Sequence, residues 1–341
     1  MPSLTLTLTP DAAIHAVAET HGIIGSRAHR LGSEHASTFR LESDAGVFAL
    51  KIQRSDPETA PLQSWRARIG SRLAELGHPV PPLVPDRSGE PIAFVRLPPE
   101  PGDIGDPSAP GARRRPSIAV QLAAWIDAVP YGAAPVATGF GERLGRAAGR
   151  LHRDLARMPA PPAPVSHTWD ARTMAAELRA HLPAVDDPEV GRIAEAALAL
   201  HERLVRPVAG ELPLALVHQD LHDSNVLIDR RGGVAAVLDF DDMLVGWRVA
   251  EPAIAAAYLA RNLGDPGAAL ASVVRGWSSE APLEPAEERV LAPLAAMRLA
   301  LNSTVWSTRG DGERGDYARS RARGSVEAFL ALAEAASGVR G

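Results

Sequence analysis

Apolar positions along the first 130 residues change spacing several times. Ile14, Val17 and Ala18 fall on one helical face. Thr9 offers an N-cap, Pro10 fits the first turn and Gly22 the stop, which predicts a helix between them. Strand-like stretches follow: residues 37–41, a turn at Ser43–Gly46, then residues 47–52, VFALKI. Leu62, Trp65, Ile69, Leu73 and Leu76 return to helical spacing over residues 60–76. That helix halts at Gly77 before the proline-rich HPVPPLVP. Residues 91–97 and 117–126 read as strands, separated by a loop insertion at 98–116 expected to be mobile.

From about residue 128 the pattern becomes helical. Leu144, Ala148, Leu151 and Leu155 make one stripe over residues 140–155, and residues 174–182 and 190–205 also read as helices. Two short strands interrupt them, at 214–217 and 226–228. A turn at Arg231–Gly233 leads to a third at 234–240, and helical character resumes from Glu251 to Ala335. The outline is a small sheet-plus-helix lobe (1–126) followed by a larger, mainly helical lobe (127–341). Strand–helix–strand order over residues 37–97 fits an α+β arrangement better than a doubly wound sheet.

Composition narrows the chemistry. The 341 residues carry a net charge of −5, which argues against a protein that coats nucleic acid or anionic membrane. With Cys 0, disulfides, thiolate nucleophiles and cysteine-ligated metals are excluded. The first residues, MPSLTLTLTP, lack a signal-peptide pattern, and no apolar run approaches a membrane span. A cytoplasmic protein is expected. Lys51 is the only lysine, among 36 basic residues. Arginine replaces lysine wherever a surface cation suffices, but not where a compact ammonium is needed. The lone lysine therefore invites a chemical role.

The densest chemistry lies in His218-Gln219-Asp220-Leu221-His222-Asp223-Ser224-Asn225, followed by Asp239-Phe240-Asp241. Asp220 is expected in a loop after one strand, Asn225 at the start of the next and Asp239 near the end of the third. Two carboxylates and an amide oxygen gathered in this way suit Mg²⁺, which favours one or two carboxylates plus phosphate oxygens and water.

The order H-x-D-L-x-x-x-N followed by D-F-x matches a kinase-type catalytic loop. With FALKI around Lys51, Trp169-Asp170, LVHQDLHDSNVLID, VLDFDDM, AAAYLA and APLAAMRLA, the chain resembles the aminoglycoside phosphotransferase superfamily. Within it, the chain is most similar to the hydroxylysine kinase-like small-molecule kinases. The resemblance covers residues 10–335 and implies a bilobal, protein-kinase-like α+β fold. It implies that Asp220 orients the acceptor hydroxyl and takes its proton, and that Asn225 and Asp239 hold Mg²⁺. Lys51 would neutralise phosphate charge of ATP or GTP. The purine would meet backbone groups of Ala123 and Trp125. Asp220, Asp241 and Asp242 would face the acceptor.

The sequence departs from the family pattern in places. The expected phosphate loop, LGSEHASTF at 31–39, holds one glycine and leaves Ser33 among several candidates for phosphate contact. Gln63 stands where an acidic partner for the lysine is expected. His218 reads as a structural residue. An HD metal-pair reading of His222-Asp223 fails because the pair lies between strands rather than on helices. Trp247, Trp277 and Trp306 read as helical core, and most arginines as solvated surface. The chain enters a helix soon after Asp239, leaving no activation segment for a peptide substrate. The acceptor is therefore a hydroxylated small molecule. A natural product such as an aminoglycoside or nucleoside antibiotic is expected, with phosphorylation conferring resistance. The alternative is a hydroxy-amino acid or amino alcohol. Less favoured are a nucleotide-binding pseudoenzyme and a metal-dependent phosphohydrolase.

Overall fold

The computed structural model describes residues 8–32, 36–96, 117–308 and 313–338. Ser33 and the 98–116 loop lie outside the described residues. The chain divides into two compact units, Met1–Asp127 and Ala128–Gly341.

The first unit opens with α1 (Pro10–His21), whose N-cap Thr9 accepts from Ala12 N–H at 3.2 Å. Gly22 ends it in the left-handed region (φ 73°), a conformation that glycine adopts without steric cost. Next come β1 (Gly25–Leu31), β2 (Ser37–Ser43), β3 (Gly46–Ser55), α2 (Ala60–Glu75), β4 (Ala93–Arg96) and β5 (Ser117–Ala124). The strands form one antiparallel sheet in the order β1-β2-β3-β5-β4. Phe39, Leu41, Leu50, Ile52, Val120 and Leu122 form its core with Ala13 and Val17 of α1. β1 was not expected. Only Ala28 of its seven residues is buried, so this edge strand carries no apolar alternation to announce it. Lys51 sits between buried Leu50 and Ile52 and so belongs to the other face of β3, opposite Thr38 and Gln121.

The second unit contains β6 (Val129–Pro130), α3 (Phe140–Leu155), α4 (Met174–His181) and α5 (Pro188–Leu200), which runs on as a widened turn over His201–Val205. Four short strands follow: β7 (Leu214–Val217), β8 (Val226–Ile228), β9 (Val234–Val237) and β10 (Leu244–Trp247). Then come α6 (Ala250–Asn262), α7 (Pro266–Ser278), α8 (Pro285–Ser307) and α9 (Glu313–Gly338). β10 pairs with β7, and β6-β8-β9 make a separate sheet. β9 stops at Val237, short of the Phe240 expected, because Asp239 turns into the left-handed region (φ 59°) and breaks the ladder. β6 and β10, of two and four residues, were not expected from the sequence. Trp277 is buried in a helix as expected, whereas Trp247 is buried on strand β10 and Trp306 is half-buried on α8. No helix among the described residues is long and apolar enough to cross a membrane.

α3 and α7 meet backbone to backbone. A Cβ on Gly145 would lie 2.0 Å from Val273 O, and one on Gly276 would lie 2.0 Å from Glu142 O. Glycine at both positions lets the two helices approach this closely. Gly145→Ala is therefore expected to destabilise the fold by about 1–3 kcal/mol through overpacking. Gly191→Ala in α5, whose new methyl meets nothing within 4 Å, should be neutral or stabilising. Thermal denaturation of the two variants checks this; equal melting temperatures would contradict it.

Candidate active site

The 218–225 loop joins β7 to β8, and the 238–243 loop joins β9 to β10. Buried His218 laces them together. Its Nε2 bonds Leu238 O at 3.0 Å, and its Nδ1 accepts from Asp220 N–H at 3.2 Å. Those two bonds place the ring's proton on Nε2, and burial holds the ring's pKa below its ordinary value. His218 is a structural residue, as read. Asn225 O accepts from Leu238 N–H at 2.8 Å, which puts Asn225 beside the chain that leads into Asp239.

Asp220 is clamped from three sides. Arg298 Nη2 donates to Oδ1 at 2.7 Å, and Asn225 Nδ2 donates to Oδ2 at 2.8 Å. His222 Nε2 lies 3.2 Å from Oδ2. Burial alone would favour the neutral acid. The charges of His222 and Arg298 outweigh it and hold the Asp220 carboxyl well below the usual carboxylate range. For His222, too, burial opposes charge, but Asp220 raises the ring above its ordinary value. Ser224 N–H points at His222 Nδ1 (3.0 Å), so the ring's first proton faces Asp220 from Nε2.

Two further shells support this clamp. The guanidinium of Arg298, 2% exposed, reaches Trp169 O at 3.2 Å and Tyr258 OH at 3.4 Å. It stacks 4.7 Å over the Trp169 ring. His222 packs on Tyr258, with Nδ1 3.6 Å from Asp223 Oδ1. Asp223 is buried and takes hydrogen bonds from Arg261 and Asn262, so it holds the loop rather than facing an acceptor. Gln219 adopts φ 71°; its N–H donates to Glu251 Oε1 at 2.6 Å and its Nε2 to Trp169 O at 2.8 Å.

Asp239 Oδ1 accepts from Asp241 N–H at 3.2 Å. Asp242 Oδ1 is 2.9 Å from His167 Nε2, and His167 Nδ1 accepts from Trp169 N–H at 3.2 Å. The 167–169 strap thus ties the Asp239 loop to the Asp220 loop. The bond from Asn225 Nδ2 to Asp220 fixes the amide so that its other terminal atom, Oδ1, is of the hard oxygen type that Mg²⁺ takes, as are the Asp239 carboxylate oxygens.

The remaining predicted residues lie in the first unit, where the structure gives each described one its own partners. Gln63 is not the lysine's partner. Its Oε1 accepts from Ser55 Oγ at 2.7 Å and its Nε2 donates to Arg54 O at 2.9 Å, which pins α2 to the end of β3. The Trp125 N–H, expected to meet a purine, bonds Val47 O at 3.2 Å and extends the β3–β5 ladder. Ala123 lies opposite Ala49 and bridges to Leu83.

The profile of the APH phosphotransferase enzyme family matches residues 27–294. The chain belongs to that family. Hydroxylysine kinase of Mus musculus is 22% identical over 86% of this chain and 80% of that protein. The enzyme of Bos taurus is 27% identical over 53% of this chain, and that of Xenopus laevis is 30% identical over 36%. The chain spans about half of the bovine protein and about a third of the amphibian one (51% and 35%). Among solved structures, an amicoumacin kinase in complex with AMP-PNP and Ca²⁺ has a TM-score of 0.68 at 15% identity, covering 94% of this chain and 93% of its own. A microcompartment-associated aminopropanol kinase also reaches 0.68, at 20% identity and covering 93% and 97%. These likenesses establish the kinase-like α+β fold.

Arg298, His222, Glu251, Tyr258 and the carbonyl of Trp169 were not singled out for this site by sequence. One signal was available: Arg298 is the only charged residue in the apolar run Ala295–Leu301, and a buried arginine needs an anionic partner. Glu251 is the other hidden group. Burial raises its carboxyl to about 7, aided by Asp220 and opposed by the Gln219 N–H bond. Its folded pKa exceeds the ordinary 4.5, so the folded state binds this proton more tightly. The resulting stability is complete below pH 4.5 and fades as pH climbs towards 7. Relative to Glu251→Gln, the wild type should lose up to about 3 kcal/mol between pH 4.5 and 8. Melting temperatures of both proteins across this range test it; a constant difference would contradict the assignment.

Proposed function

We propose that this phosphotransferase moves the γ-phosphoryl group of ATP or GTP to a hydroxyl of a small molecule that also carries an amine, such as a hydroxy-amino acid or amino alcohol. The observation that carries the reading is the Asp220 carboxylate, held ionised in one loop with Asn225 and laced to the loop of Asp239. Phosphoryl transfer needs little covalent help from the protein, so positioning and charge do most of the work. Asp220 accepts the hydrogen bond of the acceptor hydroxyl, orients its oxygen towards the γ-phosphorus, and takes the proton as the new P–O bond forms and the bond to the departing nucleoside diphosphate breaks. A carboxylate kept so acidic is a weak base, which suits proton transfer late in bond formation. Lys51 balances donor-phosphate charge. Asn225 Oδ1 and Asp239 would hold Mg²⁺, which when bound supplies positive charge to the phosphate oxygens. Asp241 and Asp242 are the acidic candidates for the acceptor's amine; Asp242 also pairs with His167.

The amine-bearing acceptor is favoured by the named activities of the curated relatives. Charge on the 251–341 segment is balanced between acids and arginines, which gives no support for a polycation such as an aminoglycoside. The location of the protein is read as cytoplasmic, where nucleoside triphosphates are available.

Incubation with Mg²⁺, ATP or GTP and pooled hydroxy-amines should yield one acceptor gaining a single phosphoryl group by mass spectrometry. Free phosphate released at the full turnover rate without acceptor product would favour a hydrolase and overturn the reading. Asp220→Asn should lower kcat by about 10³-fold or more while nucleotide affinity stays within a few-fold. Asp239→Asn should abolish Mg²⁺-dependent nucleotide binding in calorimetry, and retained binding would remove Asp239 from the metal site.

A further inference from the structure

Asp220 offers its two oxygens unequally. Oδ2 already faces Asn225 Nδ2 at 2.8 Å and His222 Nε2 at 3.2 Å, whereas among the described residues Oδ1 faces only Arg298 Nη2 at 2.7 Å. A carboxylate oxygen has two lone-pair directions. The open one on this side chain is therefore on Oδ1, the oxygen that Arg298 holds.

Arg298 reaches this point from α8, 78 residues away in sequence, and is 2% exposed. Each of its donor nitrogens is committed: Nε to Tyr258 OH, Nη1 to Trp169 O, and Nη2 to Asp220. Its plane packs against the rings of Trp169 and Tyr258, at 4.7 and 5.7 Å. Asn302, one turn further along α8, donates to the same Tyr258 hydroxyl at 3.1 Å. A guanidinium fork fixed at three corners has no freedom to swing. A lysine here would match the charge but not the three-cornered fit.

We propose that Arg298 is a positioning residue for phosphoryl transfer: it fixes Asp220 Oδ1 so that the acceptor hydroxyl bonds the remaining lone pair of that oxygen. The inference rests on the phosphotransfer reading given above. Arg298 does not touch the reacting atoms. It acts through Asp220, and the Trp169 carbonyl aligns it from the 167–169 strap.

The test uses Arg298→Lys, Arg298→Met, Asp220→Asn and the Asp220→Asn/Arg298→Met double variant, with the acceptor found by mass spectrometry. Arg298→Met should lower kcat by at least a hundredfold while the nucleotide KM changes less than threefold. Arg298→Lys should recover only part of that loss. In the Asp220→Asn background, removing Arg298 should cost no further activity, because its target charge is gone. A merely structural arginine would instead give additive losses and a lysine variant with near-normal kcat. Arg298→Met strands a half-buried carboxylate and is the variant most exposed to misfolding. The double variant removes both charges and should melt above Arg298→Met, and Arg298→Lys then carries the kinetic comparison. An active wild type with Arg298→Lys within threefold of its kcat overturns this inference alone. A wild type that binds nucleotide yet phosphorylates no acceptor overturns the functional reading and this inference with it.

Discussion

Keeping one half-buried carboxylate ionised is the constraint on which the second unit depends. An isolated carboxylate taken out of water would neutralise rather than pay that desolvation cost. Asp220 stays charged because Arg298, His222 and the Asn225 amide converge on its two oxygens. Arg298 is itself too deeply buried to persist unpaired, so each charge of the pair supplies the other's reason to be there. A second pair of opposite charge, Asp223 with Arg261, lies on the far side of His222 and extends the alternation of sign through the loop.

The surrounding architecture serves this convergence. α6 contributes Glu251, Tyr258 and Arg261, which touch the 218–225 loop at its backbone, its His222 ring and its Asp223 carboxylate. α8 is buried on nearly every side, yet it carries Arg298 and Asn302 one turn apart, facing Tyr258. The short 167–169 strap meets three elements at once: Asp242 through His167, and both Gln219 and Arg298 through the Trp169 carbonyl. Left-handed backbone at Gln219 and Asp239 marks the two loops where the chain departs from regular geometry. Such departures persist only where surrounding contacts determine them, and they concentrate at functional sites.

Much of this was legible in the sequence because it rests on local patterns. The α1 cap and stop, the β2–β3 hairpin, α2 and α3 follow from residue spacing and turn chemistry within a dozen positions. The 218–225 loop and the Asp239 loop were legible for the same reason, as ordered residues at fixed separations. What escaped depends on contacts between distant segments. β1, β6 and β10 are too short or too polar to show a period. Gln63 was placed by its position in a family pattern, and the fold bonds its amide to Ser55 and to the Arg54 carbonyl. Arg298 lay in plain view within an apolar helix; that its target was Asp220 required the fold. The identity of the acceptor is not written in any of these local patterns, because it depends on which side chains are left facing solvent once the network is satisfied.

A crystal structure with AMP-PNP, Mn²⁺ and the phosphorylatable acceptor would test the account most directly. The account predicts an anomalous Mn²⁺ peak bound by Asn225 Oδ1 and Asp239, with the acceptor hydroxyl within hydrogen-bond distance of Asp220 Oδ1 and Arg298 still on that same oxygen. An Mn²⁺ peak away from both residues, or an acceptor hydroxyl bound elsewhere than Asp220, would contradict it.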